Sequence, residues 1–282
     1  MAYIDLHAHT LYSDGTLTPS ALVTLAKEKE LTAIAITDHD TLDGNAEGLA
    51  AGAQVGIEVI PGIEISAKYE PFSLHLLGYY IDSAQSELAA HIARLQDARN
   101  ERNPKIIKKL QKMGVDIYLE EVIAQTPSRI ISRMHIAKTL VAGGWAHSLE
   151  EAFQKYLKDG GPAYVSKEIL TPKEAIGLIA HAGGVPCLAH PWLLEYNINK
   201  ENLAEIIQDL VSVGLRGIEV FYGRGNAIGN KYSYETQVQF LLDQAKQHQL
   251  KIVGGSDFHG ANKPGLELGH AKVDAKWLTA LR

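Results

Sequence analysis

The stretch Tyr3-Ile-Asp-Leu-His-Ala-His9, with Thr10-Leu-Tyr-Ser-Asp-Gly15 behind it, decides how the rest of the chain reads. Tyr3–Leu6 is a short run of the kind that forms a strand buried on both faces. It delivers His7 and His9, two positions apart, so both imidazoles leave the same face of an extended chain. The pattern of an apolar run ending in a polar cluster then repeats. Candidate strands are Ala33–Thr37, Glu58–Ile60 running on toward Ile65, Leu74–Tyr79, Val185–Ala189, Gly217–Phe221 and Lys251–Gly254. Helical patterns lie between most of them. Thr18-Pro19 opens one, with a cap residue and Pro at the first helical position. Thr171-Pro-Lys-Glu174 opens another as a capping box. Lys200–Val213 and Ser233–Gln249 are two more. Strand–helix alternation predicts an α/β protein with a parallel sheet, and about seven strands predict a barrel.

One region breaks this rhythm. From about Ala84 to Gly160 no convincing strand appears. Helices are expected through Met113, near Leu119–Ala124, at Ser132–Val141 and at Leu149–Leu157. We read residues 84–160 as a helical insertion capping a barrel made of 1–83 and 161–282. The insertion is also the basic part of an acidic chain. Arg94 to Lys138 holds ten Lys and Arg against five acids, while the whole chain carries −6. A local positive field on an acidic protein suggests a face that meets an anion.

Composition bounds the function classes. At 282 residues, 46% hydrophobic and 21% charged, the chain has globular values, which excludes disorder. No run approaches the ~18 apolar residues of a membrane span, and the N-terminus lacks a signal pattern. The single cysteine, Cys187, excludes an internal disulfide framework and a multi-cysteine zinc site. A cytoplasmic protein with no membrane association and no obligate protein partner is expected.

The placement of histidines matters more than their number. His7 and His9 end the first strand, with Asp14 in the loop beyond. Thr37-Asp38-His39-Asp40 ends the second. Glu64 sits in Pro-Gly-Ile-Glu-Ile-Ser66, His75 in the fourth strand, and His190 in Ala-His-Pro191. Gly255-Ser-Asp-Phe-His259 ends the last. Strand C-termini are where barrel sites are built, and imidazole with carboxylate suits zinc, manganese or iron. His91, His147, His181, His248 and His270 fall in helices or surface-like stretches and read as ordinary surface or core groups.

HAHTLYSDG, ITDHD, PGIEIS, the histidine of LHLLGY, LAHP and GSDFHG together resemble the PHP family, the polymerase and histidinol phosphatase superfamily. The motifs run from residue 5 to 260. The resemblance implies a distorted (β/α)7 barrel and a site for two to three divalent ions, with Mn2+ first and Fe2+ or Zn2+ as alternatives. It implies that His7, His9, Glu64 and Asp257 hold one ion. Glu64, His75 and His190 would hold a second, with Glu64 bridging, and Asp14, His39 and His259 a third.

Three carboxylates against three divalent ions leave such a site net positive, suited to a phosphate. Metal ions make hydroxide available at neutral pH. The expected reaction is phosphoester hydrolysis, with a metal-bridging hydroxide held by Glu64, Asp257 and His190 as nucleophile. Ser256 and Cys187 then read as packing residues. Asp38, Asp40 and Glu219 are candidates to steady the ligands from behind. In the insertion, Arg99 and Arg102 share a helix face, and Arg133 and His135 open another helix. These four are the candidate substrate-binding residues, guanidinium being suited to a phosphate that is held but not cleaved. Trp192, Tyr196, Phe221 and Tyr222 could stack a base.

The basic insertion makes the chain look like the nucleotide-acting branch of the family. That branch includes nucleoside 3′,5′-bisphosphate (pAp-type) phosphatases and 5′→3′ exoribonucleases of short RNA. Two rivals remain open: a monophosphatase such as histidinol phosphatase, and a non-catalytic structural PHP module.

Overall fold

In a computed structural model, residues 2–82, 86–124, 131–166, 169–194, 198–222 and 232–282 are described, Ser86 and Arg99 by their backbone alone. The eight strands are β1 (Tyr3–Asp5), β2 (Leu31–Ile36), β3 (Glu58–Tyr69), β4 (Phe72–Tyr79), β5 (Val185–Leu188), β6 (Gly217–Tyr222), β7 (Lys251–Gly255) and β8 (Val273–Asp274). They form one sheet in the order β7-β6-β5-β4-β3-β2-β1-β8. Past the end of β1 the chain turns onto β7. Leu6 N donates to Gly254 O at 3.1 Å and His9 N to Phe258 O at 2.9 Å. The sheet is thereby nearly closed into a barrel, as the sequence predicts.

The all-parallel expectation is corrected at two strands. β1, β2 and β3 pair in parallel, as do β5, β6 and β7. β4, however, runs antiparallel to both neighbours, and β8 runs antiparallel to β1. The cause at β4 is the connection: only Glu70 and Pro71 separate it from β3, far too few for a parallel crossover. The reversal puts the beginning of β4, where His75 sits, at the end of the barrel where β1, β2 and β3 finish.

Helices α1 (Pro19–Glu28) and α2 (Asn45–Val55) cover the first strands. Thr18 caps α1, its Oγ1 accepting from Ala21 N at 3.1 Å. Helices α3 (Ser86–Lys112), α4 (Leu119–Ala124), α5 (Arg133–Ala142) and α6 (Leu149–Ala152) fill the strandless region, and a π-helical turn at Phe153–Leu157 follows. The helix expected near 149–157 thus widens midway. These helices share an apolar core that includes Ile106, Leu110, Ile136 and Leu157. Residue 84, where the insertion was expected to begin, lies outside the described residues. Helices α7 (Pro172–His181), α8 (Lys200–Ser212), α9 (Tyr234–His248) and α10 (Lys276–Leu281) complete the chain. Thr171 and Glu174 form the predicted capping box at α7.

The barrel interior is packed rather than hollow. Ile4, Ala33, Ile60, Leu77, Cys187 and Val253 belong to one buried cluster. Tyr79 is fully buried and donates its hydroxyl to Leu6 O at 2.8 Å across it. Polar groups are therefore pushed to the mouth, where the strands end in loops.

Candidate metal centre and its cavity

The nine candidate ligands converge at that mouth. Glu64, fully buried in β3, is the hub. Its Oε2 lies 3.3 Å from His7 Nε2, 3.2 Å from His9 Nε2 and 3.1 Å from His39 Nδ1. Its Oε1 lies 2.8 Å from His75 Nδ1 and 3.0 Å from His190 Nε2. Asp257 Oδ1 faces His9 Nε2 at 3.2 Å, His259 Nδ1 at 3.3 Å and His7 Nε2 at 3.5 Å. Asp14 Oδ1 faces His259 Nε2 at 3.2 Å and His9 Nδ1 at 3.7 Å, and its Oδ2 faces His39 Nε2 at 4.0 Å.

Three groups of donors are close enough to share an ion. His7, His9, Glu64 and Asp257 form the set the family resemblance implies for its first metal. His9 joins Asp14, His39 and His259 in another, and Glu64, His39 and His75 make the third. His190 stands outside that last group, although it touches Glu64.

The chemistry of these atoms fits cations. His7 Nε2, His9 Nε2, His39 Nδ1, Glu64 Oε2 and His259 Nε2 are buried without a hydrogen-bond partner among the described residues. Orphaned buried polar atoms are costly and rare, and here five of them point into one volume. Burial pushes Glu64 upward, but His39, His75 and His7 outweigh it and hold the carboxyl well below its ordinary range. Asp14 and Asp257 are likewise held low against burial, by His259 and Lys263 first. Burial lowers His9 too, yet the neighbouring carboxylates of Asp257 and Glu64 carry it up to about 9. At His39 burial prevails, and the imidazole falls to about 3. The acids are ionised and seek positive charge.

A second layer of contacts aims the ligands. Glu219, fully buried on β6, accepts from His7 Nδ1 at 3.0 Å and from His190 N at 2.6 Å. With Nδ1 protonated, the Nε2 lone pair of His7 is turned into the site. Asp38 binds Thr10 N at 2.7 Å, Thr10 Oγ1 at 2.6 Å and Ser13 Oγ at 2.6 Å. It therefore fixes the loop between His9 and Asp14. Asp40 is also buried, accepting from Ser66 N at 3.1 Å. Asp5, which the sequence reading passed over, accepts from His7 N, Ser256 N and Gly269 N. It pins β1 to the end of β7. Cys187 is buried and its thiol is pushed far up by that burial, so it is a packing residue.

A cavity of about 310 Å³ opens between the centre and the helical region. Asp14, His39 and His75 line one wall, and Arg102, Arg133 and Phe153 line the other. Both guanidinium groups lie over the Tyr164 ring, at 5.7 and 5.6 Å. Arg102 Nε donates to Val165 O at 2.7 Å, and Arg133 Nη1 to Leu157 O at 2.9 Å and to Asp159. The arginines are thus braced from behind.

The other expected substrate contacts fare differently. His135 does not line this cavity. Its Nδ1 accepts from Ser132 N at 3.0 Å in the capping box of α5, and burial pushes it down to about 4. The side chain of Arg99 and all of Tyr196 lie outside the described residues. Trp192 packs against Tyr232 and Phe240 and donates to Gln237 O at 3.3 Å. Phe221 lies near Trp277. Tyr222 reaches Asp257 rather than an open surface. Phe153 and Lys263 were missed. Neither carries a local signal, because one sits on a helix and the other in a loop after the last motif.

A family model described as the PHP domain matches residues 5–213. A 3′,5′-nucleoside bisphosphate phosphatase of Chromobacterium violaceum is 34% identical over 96% of this chain and 92% of its own length. The 5′-3′ exoribonuclease Rnm of Escherichia coli K12 is 34% identical over 97% and 92%. Among solved structures, a protein of Bifidobacterium adolescentis provisionally described as a metal-dependent phosphoesterase superposes with a TM-score of 0.86 at 30% identity. That match covers 99% of this chain and 95% of the other. An amidohydrolase of Chromobacterium violaceum, with bound sulfate, gives 0.84 at 32% identity over 99% and 96%.

Proposed function

The chain belongs to the PHP domain family, a metal-dependent phosphoesterase by its site and its kin, and we propose that its substrates are nucleoside 3′,5′-bisphosphates. Short RNA, taken from its 5′ end, is the related substrate we propose beside them. The observation that carries this reading is the two-sided cavity. One wall offers acids and imidazoles fit for divalent ions, and the other offers two guanidinium groups held in place. A substrate with two phosphates matches both walls.

In this reading His7, His9, Glu64 and Asp257 hold one ion, Glu64, His75 and His190 a second, and Asp14, His39 and His259 a third. Manganese is the ion we propose. Bound divalent ions supply an activated water and neutralise the phosphoryl oxygens. The chain's own residues do the rest. Glu64 spans the ligand sets and keeps them in one geometry. Glu219 keeps the His7 lone pair aimed at the site. Arg102 and Arg133 grip the phosphate that is not cleaved, in the bidentate manner guanidinium allows. Phe153 walls the space between. Residues 84–160 act as the cap that brings the arginines to the barrel mouth formed by 1–83 and 161–282. Among the described residues no helix is long and apolar enough to cross a membrane, and the reaction needs none.

The test is phosphate release with Mn2+ from a panel: a nucleoside 3′,5′-bisphosphate, the matching 5′-monophosphate, histidinol phosphate and a short 5′-phosphorylated RNA. The bisphosphate should show the highest kcat/KM. Preference for histidinol phosphate would overturn the substrate assignment. A folded chain that binds no Mn2+ and turns over nothing would return the structural reading of the fold.

A further inference from the structure

Glu219 and Tyr222 both reach the metal centre from β6, yet they stand three positions apart. A regular strand sends residues an odd number apart to opposite faces. The pairing with β7 explains the exception. Glu219 pairs with Val253 and Phe221 with Gly254, the register shifting between them. Val220 is the extra residue of a β-bulge, which re-aims the side chains beyond it. Tyr222 is returned to the face that Glu219 occupies.

There its hydroxyl donates to Asp257 Oδ2 at 2.7 Å, and its ring meets that of His190 edge-on at 5.6 Å. Lys263 Nζ takes the same Oδ2 at 2.8 Å. The other oxygen, Oδ1, is the one that faces His7, His9 and His259. β6 lies between β5 and β7 in the sheet, so Tyr222 stands between the two ligands those strands deliver. Both depart from ordinary backbone, His190 with φ 28° and Asp257 with φ 54°. Side chains hold such conformations where their surroundings impose them.

We propose that Tyr222 is a positioning residue. Turned inward by the β6 bulge, it works with Lys263 to fix Asp257 so that Oδ1 is presented to the metal site, and it braces the His190 ring alongside. The inference rests on the metal-centre reading above.

The test uses the full chain, stripped of metal, as wild type, Tyr222→Phe and Tyr222→Leu. Mn2+ affinity is read by competition with a chelating dye, alongside the melting temperature of the metal-free protein and KM for the bisphosphate. Tyr222→Phe should weaken at least one Mn2+ site by roughly ten-fold, the lower range for lost outer partners of a ligand. Its KM should match wild type, and its metal-free melting temperature should fall by no more than the loss of one hydrogen bond to a charged group accounts for. Tyr222→Leu, which also loses the ring against His190, should weaken binding further. Wild-type affinity in Tyr222→Phe overturns the proposal. A raised KM at wild-type affinity also overturns it, assigning Tyr222 to substrate contact instead. If the wild-type chain binds no Mn2+, the phosphoesterase reading fails first and takes this one with it.

Discussion

Changing Glu219 to Gln alters one atom's chemistry at almost constant volume, and its effect can be worked through from the hydrogen bonds. Glu219 accepts twice, from His190 N at 2.6 Å and from His7 Nδ1 at 3.0 Å. A glutamine offers one oxygen and one NH2. The backbone N–H of His190 is an obligate donor, so the oxygen must face it. The NH2 is left facing His7 Nδ1, which must then become the acceptor. The proton moves to Nε2, the nitrogen that lies 3.3 Å from Glu64 Oε2 and points into the metal site. The lone pair needed by a cation is lost to the wrong tautomer. Lost outer partners of ligands typically cost 10–100-fold in metal affinity, about 1.4–2.7 kcal/mol. Glu219→Gln should therefore shift the Mn2+ activation curve and the dye-competition isotherm by one to two decades. Saturating Mn2+ should restore much of the rate. Because both hydrogen bonds persist and only their charge assistance is lost, the metal-free protein should lose about 1 kcal/mol in urea unfolding. A variant that loads Mn2+ as wild type does would refute the tautomer argument.

Arg133→Ala should raise KM for the bisphosphate more than for the monophosphate. Because Asp159 braces Arg133 together with Leu157 O, Asp159→Ala should raise KM for the bisphosphate by less than Arg133→Ala does; equal effects of Arg133→Ala on both substrates would remove Arg133 from the phosphate grip. Gly255→Ala would place a Cβ 2.4 Å from His7 N and 2.5 Å from His7 Cβ. Overpacking of that kind costs about 1–3 kcal/mol, so urea midpoint and Mn2+ affinity should fall together, and an unchanged affinity would contradict the close approach. Cys187, buried with its thiol pushed up, should resist iodoacetamide in the native state and react only as urea unfolds the chain. Rapid native labelling would show that β5 opens locally.

How much was legible beforehand follows from chain geometry. Strand ends read well because each short apolar run stops where polar residues begin, so eight of the nine candidate ligands could be placed at or near the mouth by counting. His75 is the exception that worked for a different reason. It faces the mouth because β4 runs backwards after a two-residue link, so the early part of the strand reaches the site. The inward aim of Tyr222 is not legible, because alternation cannot be counted through a bulge and nothing in Gly-Ile-Glu-Val-Phe-Tyr marks Val220 as the extra residue. His135 looked like an anion binder from its neighbours, yet Ser132 and His135 have the spacing of a capping box, and that local bond claimed the imidazole. Asp38 kept company with a ligand but serves the neighbouring loop. The choice of His135 is local and is written in the spacing, whereas that of Asp38 is made by a tertiary contact that spacing does not encode.

Helix α3 belongs to two cores at once. Its early residues Leu88 and Ile92 lie in the barrel's large apolar cluster, while Ile106, Ile107 and Leu110 lie in the core of the inserted helices. At 27 residues it is about 40 Å long, with Pro104 as its one interior break in the hydrogen-bond ladder. A beam rooted at both ends sets the azimuth of everything mounted on it. One residue added or removed between Ile92 and Arg102 would swing Arg102 by about 100° around the axis. A loop that carries no site residue can lengthen without turning one, but this span is locked in phase, and its length is as much a part of the anion grip as the guanidinium it carries.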